Sequence, residues 1–581
     1  MVEIYYGVPY AKPPVGARRF RAPLPAKPWG SVPLDGTVKP NACWQSLDTS
    51  FERNAGVDMW NANTNKSEDC LYLNIWRPDT TVDSPAAGSG DGEEIATSSS
   101  HKSIMVWIFG GSYNSGSATL DVYEASQLAV REDVIVVTIA YRLGALGFFY
   151  LGNGAVPGNA GLLDQAMALE WIRDNAENLG GRRDDITIFG ESAGAASVGL
   201  HLFSPISKHL FKNAIMQSTS PLAYWAVMDT TKARARSLDL SAQMSCVNDT
   251  TSRNIDDNAL LTCLQALDAA IFTDKQWDIS GLKWFDITFG PVVDGTFLIS
   301  HPATLMRKGD VKLTNVIIGF NKDEGIYFDI YAFKALQNLT LNGHLTSSEF
   351  DDIMMTIADG NRTFKGELVE HYCDDEDNSY LNIVDATSGD YLFKCSIVDF
   401  ALQYTNLGGK VYTYSFEENF SSNPWPDWMG VPHGYEIELI FGIPLKDGSS
   451  NTQAEKNLTA HVMSWWANFA KTGAPTSEND GHVWPMYTAQ DKEFAVINAD
   501  GIHIAKRLRQ DECELWAKHT ASSHTVSELA SSVLPRDVES SETPSSGRAH
   551  STSGSQVEQV LIVQPGPQHG GGTRQGGDSL P

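Results

Sequence analysis

The sequence predicts an α/β fold with one large central sheet, mostly parallel, and helices over both faces. Two observations carry this. Strand-like and helix-like runs alternate: "IMVWIFGG", a helical 122–131, "VIVVTIAY", a helix through "GLLDQAMALEWIRDNA", then "DDITIF". Such alternation marks parallel strands joined by crossover helices. The last of these strands also runs into "FGESAGAASVG" (189–199), where a serine stands between two glycines as a small-residue helix begins.

The remaining elements follow in chain order. Residues 1–80 are rich in strands and turns, and 81–102, low in apolar content, should form an exposed loop. "NVIIGF" (315–320) and "KVYTYSF" (410–416) read as later strands of the same sheet, and no internal repeat interrupts the pattern. Residues 520–581 contain no Phe, Trp or Tyr and are rich in Ser, Gly and Pro, so this tail should be disordered. Its short "VLIV" (560–563) does not make a lipid-anchor signal. The expected organisation is a catalytic domain over 1–519 and a tail over 520–581.

Composition narrows the function. With 71 acidic against 43 basic residues the net charge is −28, which excludes a nucleic-acid footprint and suits a field that attracts cations. The 42% hydrophobic and 10% aromatic content is enough to fill a core. Seven cysteines without a C-x-x-C pair argue against a zinc ribbon, and no metal or cofactor is expected. Sequons begin at Asn65, Asn248, Asn338, Asn361, Asn419 and Asn457; with the cysteines they favour an oxidising, secretory setting. No apolar run approaches the roughly 18 to 20 residues of a membrane span. The chain enters at once into "EIYYGVPYAKPPVG", which reads as the interior of a fold, so a signal peptide and the true start are expected upstream of Met1.

G-x-S-x-G is the nucleophile elbow of α/β-hydrolases, in which a strained strand-to-helix turn lifts the serine hydroxyl above the sheet edge. Gly190 and Gly194 also fit a purely structural reading as a tight turn, and the flanking strand and helix favour the chemical one. An activated serine needs a base, and an acid to orient that base, in the chain order Ser, Asp or Glu, His. Of fourteen histidines, His433 stands out in the Gly-bracketed turn of "WMGVPHGYEIELIFG". For the acid, "IIGFNKDEG" puts Glu324 just past a strand end, where site residues of open sheets collect; spacing alone leaves Asp323 open. In "WIFGGSYNSG", Gly110, Gly111 and Ser112 follow a strand at the position that supplies oxyanion N–H donors.

These pieces together resemble the cholinesterases of the type B carboxylesterase group, from about residue 3 to about residue 517. "GVPYAKPPVGARRFRAP", "MWNANTNKSEDCLYLNIW", "YRLGALGF", "GFNKDEG" and "HGYEIELIFG" carry the likeness beside the elbow. The resemblance implies an α/β-hydrolase with a deep active-site gorge. It implies a triad of Ser192, Glu324 and His433, with Glu324 preferred over Asp323. The oxyanion donors would be the N–H groups of Gly111, Ser112 and Ala193; Ser112 departs from the glycine usual in cholinesterases. It also implies disulfides Cys43–Cys70, Cys246–Cys263 and Cys395–Cys513, leaving Cys373 over. No cysteine follows Cys513, so a homodimer would lack the tail disulfide of some family members.

Choline cannot be hydrogen-bonded through its nitrogen, so its recognition falls to aromatic faces. By resemblance Trp60 stacks on choline, with Glu191, Tyr327 and Phe328 beside it, and Asp48 and Trp277 form a peripheral cation site at the gorge mouth. Ser46 and Asn114 fall where vertebrate acetylcholinesterases carry tyrosines. Trp225 and Phe285 take acyl-pocket positions; the third is Ile287 or, if the spacing shifts, Phe289. The resemblance thus implies a secreted or cell-surface serine esterase for small choline esters that prefers acetyl and tolerates larger acyl groups. The alternatives are a broad-specificity carboxylesterase, separated by Trp60, and a neuroligin-like adhesion protein, separated by the triad.

Overall fold

The computed structural model describes residues 1–51, 54–79, 101–252, 254–338, 344–373, 379–477 and 481–519. The chain divides into two units, Met1–Ser523 and His524–Pro581. The tail expected over 520–581 lies outside the described residues, as does the loop expected over 81–102 except for its last two residues.

Among the described residues twelve strands are formed: β1 (Val2–Pro9), β2 (Ala42–Cys43), β3 (Lys66–Ser67), β4 (Tyr72–Pro78), β5 (Lys102–Ile108), β6 (Ile135–Ile139), β7 (Gly181–Glu191), β8 (Asn213–Gln217), β9 (Asn315–Asn321), β10 (Lys410–Phe416), β11 (Glu493–Asn498) and β12 (Gly501–Lys506). Ten of them make one sheet in the order β1-β4-β6-β5-β7-β8-β9-β10-β11-β12, while β2 pairs separately with β3. From β6 to β11 all neighbours run parallel, and the antiparallel pairs lie at the two ends. Every residue of β6 and β8 is buried, as continuous apolar strands must be when helices cover both faces. The α/β architecture read from the alternation is the one observed.

The first helical stretch after β5 differs from expectation. It is not one helix over 122–131 but a short turn, Asp121–Tyr123, followed by the helix Ser126–Glu132. Glu124 interrupts it in an extended conformation, because its carboxylate accepts the Trp76 indole N–H at 3.0 Å and the Ser126 N–H at 3.2 Å. A side chain bridging back to β4 thus overrides helical periodicity.

The sheet places the chemistry. After β5 the chain returns to one side through β6 and then crosses to the other through β7, so the strand order reverses between them. Sites of open α/β sheets collect beyond the carboxyl ends of strands at such a reversal. Ser192 follows β7 directly, Gly110 to Ser112 follow β5, and Glu324 follows β9.

Candidate active site

Ser192 sits at φ 55°, ψ −126° between β7 and the buried helix Ala193–Phe203. A non-glycine residue is costly there, on the order of 1–3 kcal/mol, and persists only where the surroundings enforce it. The surroundings do. Ser192 N–H donates to the Gln217 carbonyl of β8 at 2.9 Å, and the Ser192 carbonyl accepts from Ala196 at 2.9 Å. A Cβ on Gly190 would lie 2.5 Å from the Ile108 carbonyl oxygen, and one on Gly194 only 2.0 Å from it. The two glycines of the elbow are therefore required by the close approach of β5.

The turn after β5 is held as firmly. Gly111, Ser112 and Tyr113 all take positive φ, at 109°, 53° and 60°. The Gly111 carbonyl accepts from the N–H groups of Asn114 and Ser115, and Asn114 Nδ2 donates to the Ser112 carbonyl at 2.8 Å. Gln45 pairs with the backbone of Gly116 in both directions, at 2.7 and 3.0 Å. Ser112 thus adopts the left-handed backbone that a glycine would take without strain. Ala193 opens its helix, where an N–H has no intrahelical acceptor.

His433, in the loop after β10, lines the same cavity as Ser192 and stands between two carboxylates. Its Nδ1 lies 2.5 Å from Glu324 Oε2, and its Nε2 lies 2.9 Å from Glu191 Oε1. The second contact is an ion-pair distance without hydrogen-bond alignment, and Nε2 is buried without a hydrogen-bond partner. Glu324 is itself fixed by the Asn321 N–H, which donates to Oε1 at 2.7 Å. Burial pushes the imidazole pKa down, but Glu191 and Glu324 more than offset it and raise it to about 10. Glu436 lies close by, bonded by Gln217 Nε2 and Asn321 Nδ2. Burial, with Glu191 and Glu324, pushes its carboxyl up to about 7. A proton on Glu436 removes one of three clustered negative charges. His201 is the counterexample: satisfied by Gln165 and Ser207, it is driven by burial down to about 3 and is structural.

A cavity of about 560 Å³ joins these groups. Ser192, His433, Glu191, Gly111 and Ser112 line it together with Trp60, Tyr327, Phe328, Phe285 and Ile287. Asp48 and Trp277 line it too, Trp277 being 49% exposed, and Tyr331 donates its hydroxyl to Asp48 Oδ2 at 2.8 Å. Ser46 and Asn114 take part in the same wall.

Two expected acyl-pocket residues do not reach this cavity. Trp225 stands behind Phe285, ring centroids 5.9 Å apart, with its indole N–H given to the Leu392 carbonyl. Phe289 packs against Phe149 at 6.2 Å, away from the site. Arg236 binds the carbonyls of Ile287 and Thr288, and the Thr288 hydroxyl donates to Asn114 Oδ1 at 2.8 Å. With the loop anchored in this way, Ile287 lines the cavity and Phe289 is buried in the core.

Sequence reasoning missed one neighbour of the imidazole. Phe393 lies 4.4 Å from His433 by ring centroids, with Phe328 at 4.9 Å. Phe393 occupies a π-helical turn, Asp390–Lys394, between two α-helices. Such a turn changes the facing of a helix by one residue and leaves no simple periodic signal.

The disulfides Cys43–Cys70, Cys246–Cys263 and Cys395–Cys513 are formed, and Cys373 is free and exposed. All six sequon asparagines are exposed. Among the described residues no helix is long and apolar enough to cross a membrane, and no group of three His, Cys, Asp or Glu side chains is arranged for a metal ion.

The carboxylesterase family model matches residues 1–516. The chain is 39% identical to the acetylcholinesterase of Bungarus fasciatus over 523 residues, covering 89% of this chain and 82% of the relative. It is 38% identical to the cholinesterase of Mus musculus over 523 residues, covering 89% and 83%. With the acetylcholinesterase of Electrophorus electricus it shares 37% identity over 561 residues, covering 89% and 84%. The chain belongs to the carboxylesterase family and is a carboxylic-ester hydrolase.

Proposed function

We propose that the protein hydrolyses choline esters through an acyl-enzyme on Ser192. The observation that carries this reading is a single cavity lined both by Ser192 with His433 and by Trp60 with Glu191. An indole face and a carboxylate suit a quaternary ammonium that has no N–H to donate, and cation–π contact is worth about 2 kcal/mol when desolvated.

The proposed chemistry follows from the positions. The imidazole turns Nε2 from Glu191 toward Ser192 and takes the hydroxyl proton as Oγ attacks the ester carbonyl; hydrogen bonds of this kind are commonly incomplete before substrate binds. Glu324 holds the ring through Nδ1 and stabilises the imidazolium. The N–H groups of Gly111, Ser112 and Ala193 receive the oxyanion. His433 then gives the proton to the departing choline oxygen, and water releases the acid by the same steps in reverse. The Phe285 and Ile287 walls receive the acyl group; Ile287 is smaller than a phenylalanine, which supports acetyl preference with tolerance of propionyl and butyryl.

Three disulfides and six exposed sequon asparagines support an extracellular or lumenal setting. Asp48 and Trp277 are proposed to receive the cation first at the mouth. The test is active-site titration with a fluorophosphonate, followed by acetylthiocholine against a neutral ester of the same shape. Labelling at Ser192 with a kcat/KM preference for the charged ester is expected. Labelling without that preference would leave a general esterase and remove the choline assignment.

A further inference from the structure

A second cavity, about 460 Å³, lies directly behind the acyl wall. Its apolar lining comes from Trp225, Val227, Met228 and Val293, and polar Asp229 and Lys232 stand at its side. Two residues, Asp286 and Ile287, line this cavity and the Ser192 cavity alike. Asp286 and Ile287 therefore form the partition between them.

The backbone of that partition is fixed. Asp286 is held by Lys232 at 2.8 Å and Arg236 at 2.7 Å, and Arg236 also binds the Ile287 and Thr288 carbonyls. Ile287 Cγ2 leans toward Gly290, where a Cβ would lie 3.2 Å away. What can move is the Ile287 side chain itself, by a rotamer change of the ordinary kind. Trp225, which does not reach the catalytic cavity, and Phe285, which does not reach the second one, stand edge-on to each other beside it.

We infer that the second cavity is an acyl-chain subsite: straight, medium-length acyl groups bound at Ser192 pass Ile287 and lie among Trp225, Val227, Met228 and Val293. The inference rests on the Ser192 esterase reading and extends its substrate class from small acyl groups to chains too long for the gorge wall. The reaction is unchanged, with the ester C–O bond broken and the acyl–Oγ bond formed and then hydrolysed. Each methylene that enters an apolar lining adds about fourfold to transition-state affinity, which offsets the cost of displacing the Ile287 side chain.

The test compares p-nitrophenyl acetate with p-nitrophenyl octanoate on the full chain, reading the octanoate-to-acetate ratio of kcat/KM. Expected for the wild type is a ratio of about one-tenth or higher, within the tens of fold that apolar pockets command. Val293→Trp fills the second cavity from the far side and Ile287→Phe closes the partition from the gorge side; each should lower the ratio at least tenfold. Circular dichroism and the thermal denaturation midpoint report that each variant is folded. The inference is overturned if the wild type cleaves acetate but not octanoate, or if the ratio survives Val293→Trp. A ratio that responds to Ile287→Phe alone also overturns it, because the chain then ends inside the gorge. Absence of acetate hydrolysis and of fluorophosphonate labelling overturns the Ser192 reading itself, and the subsite with it.

Discussion

Glu191→Gln should move the acid limb of the pH–rate profile to lower pH. A protonated imidazole cannot accept the serine proton, so activity rises with pH through the His433 pKa. Two carboxylates hold that pKa above the ordinary imidazole value, against the opposite push of burial. The substitution removes one of them at 2.9 Å while keeping the shape of the side chain. At that separation the charge–charge energy is about 1.4 kcal/mol in water and about 6 kcal/mol at an effective dielectric of 20, or roughly one to four pKa units. A downward displacement of at least about one unit in kcat/KM is expected. The assay is a kcat/KM profile with a neutral ester, so that loss of a negative charge does not alter capture of a cation. Glu191→Asp, which keeps the charge, should hold the limb near its wild-type position. An unchanged or upward-moving limb in Glu191→Gln would refute the view that Glu191 sets the protonation of His433.

Ser192→Ala should leave a folded protein whose esterase activity falls by several powers of ten, on the order of 10⁶, with circular dichroism unchanged. More than a few per cent of activity in pure mutant would remove Ser192 as nucleophile. Trp60→Ala should cost acetylthiocholine about thirtyfold in kcat/KM and its neutral isostere much less, because only the cation loses the indole face. Equal losses would make Trp60 merely structural. Butyrylthiocholine should be cleaved measurably, and Ile287→Phe should slow it by tens of fold while sparing acetyl; a wild type that already rejects butyryl would displace Ile287 from the acyl wall. Replacing both Cys246 and Cys263 by serine opens a bridge of sequence separation 17. On the chain-entropy model this removes about 3 kcal/mol and lowers the denaturation midpoint, with no change in kcat expected.

Which parts of the site were legible in the sequence follows from how local their causes are. The elbow is spelled in five consecutive residues, because the clash that demands Gly190 and Gly194 comes from the adjacent strand of the same sheet. The turn at Gly110 to Ser112 is equally local, and so is the strand that ends before Glu324. The Glu191–His433 contact joins residues far apart in the chain, and nothing in either motif announces that the residue beside the nucleophile reaches the base. Phe393 escaped notice because a π-helical turn re-aims it, and the choice between Ile287 and Phe289 stayed open because that loop is tied down by Arg236, some fifty residues earlier. The second cavity has no sequence signature at all, being the gap left between separate segments.

The pair Asp323 and Glu324 shows why spacing alone left the acid open. Both follow β9, both are carboxylates, and both touch the loop that carries His433. Glu324 reaches the imidazole. Asp323 instead accepts the Val431 N–H on Oδ2 at 2.8 Å and gives its own N–H to the Val431 carbonyl at 3.1 Å. Gly430, at φ 59°, makes room for this, since a Cβ there would lie 2.1 Å from Asp323 Oδ2. Asn321 adds a third tie through the Pro432 carbonyl at 2.9 Å. One carboxylate therefore holds the ring and its neighbour holds the backbone beneath the ring. The two tasks cannot be exchanged, because adjacent side chains leave the strand end in different directions and only Glu324 has both the direction and the reach to meet Nδ1.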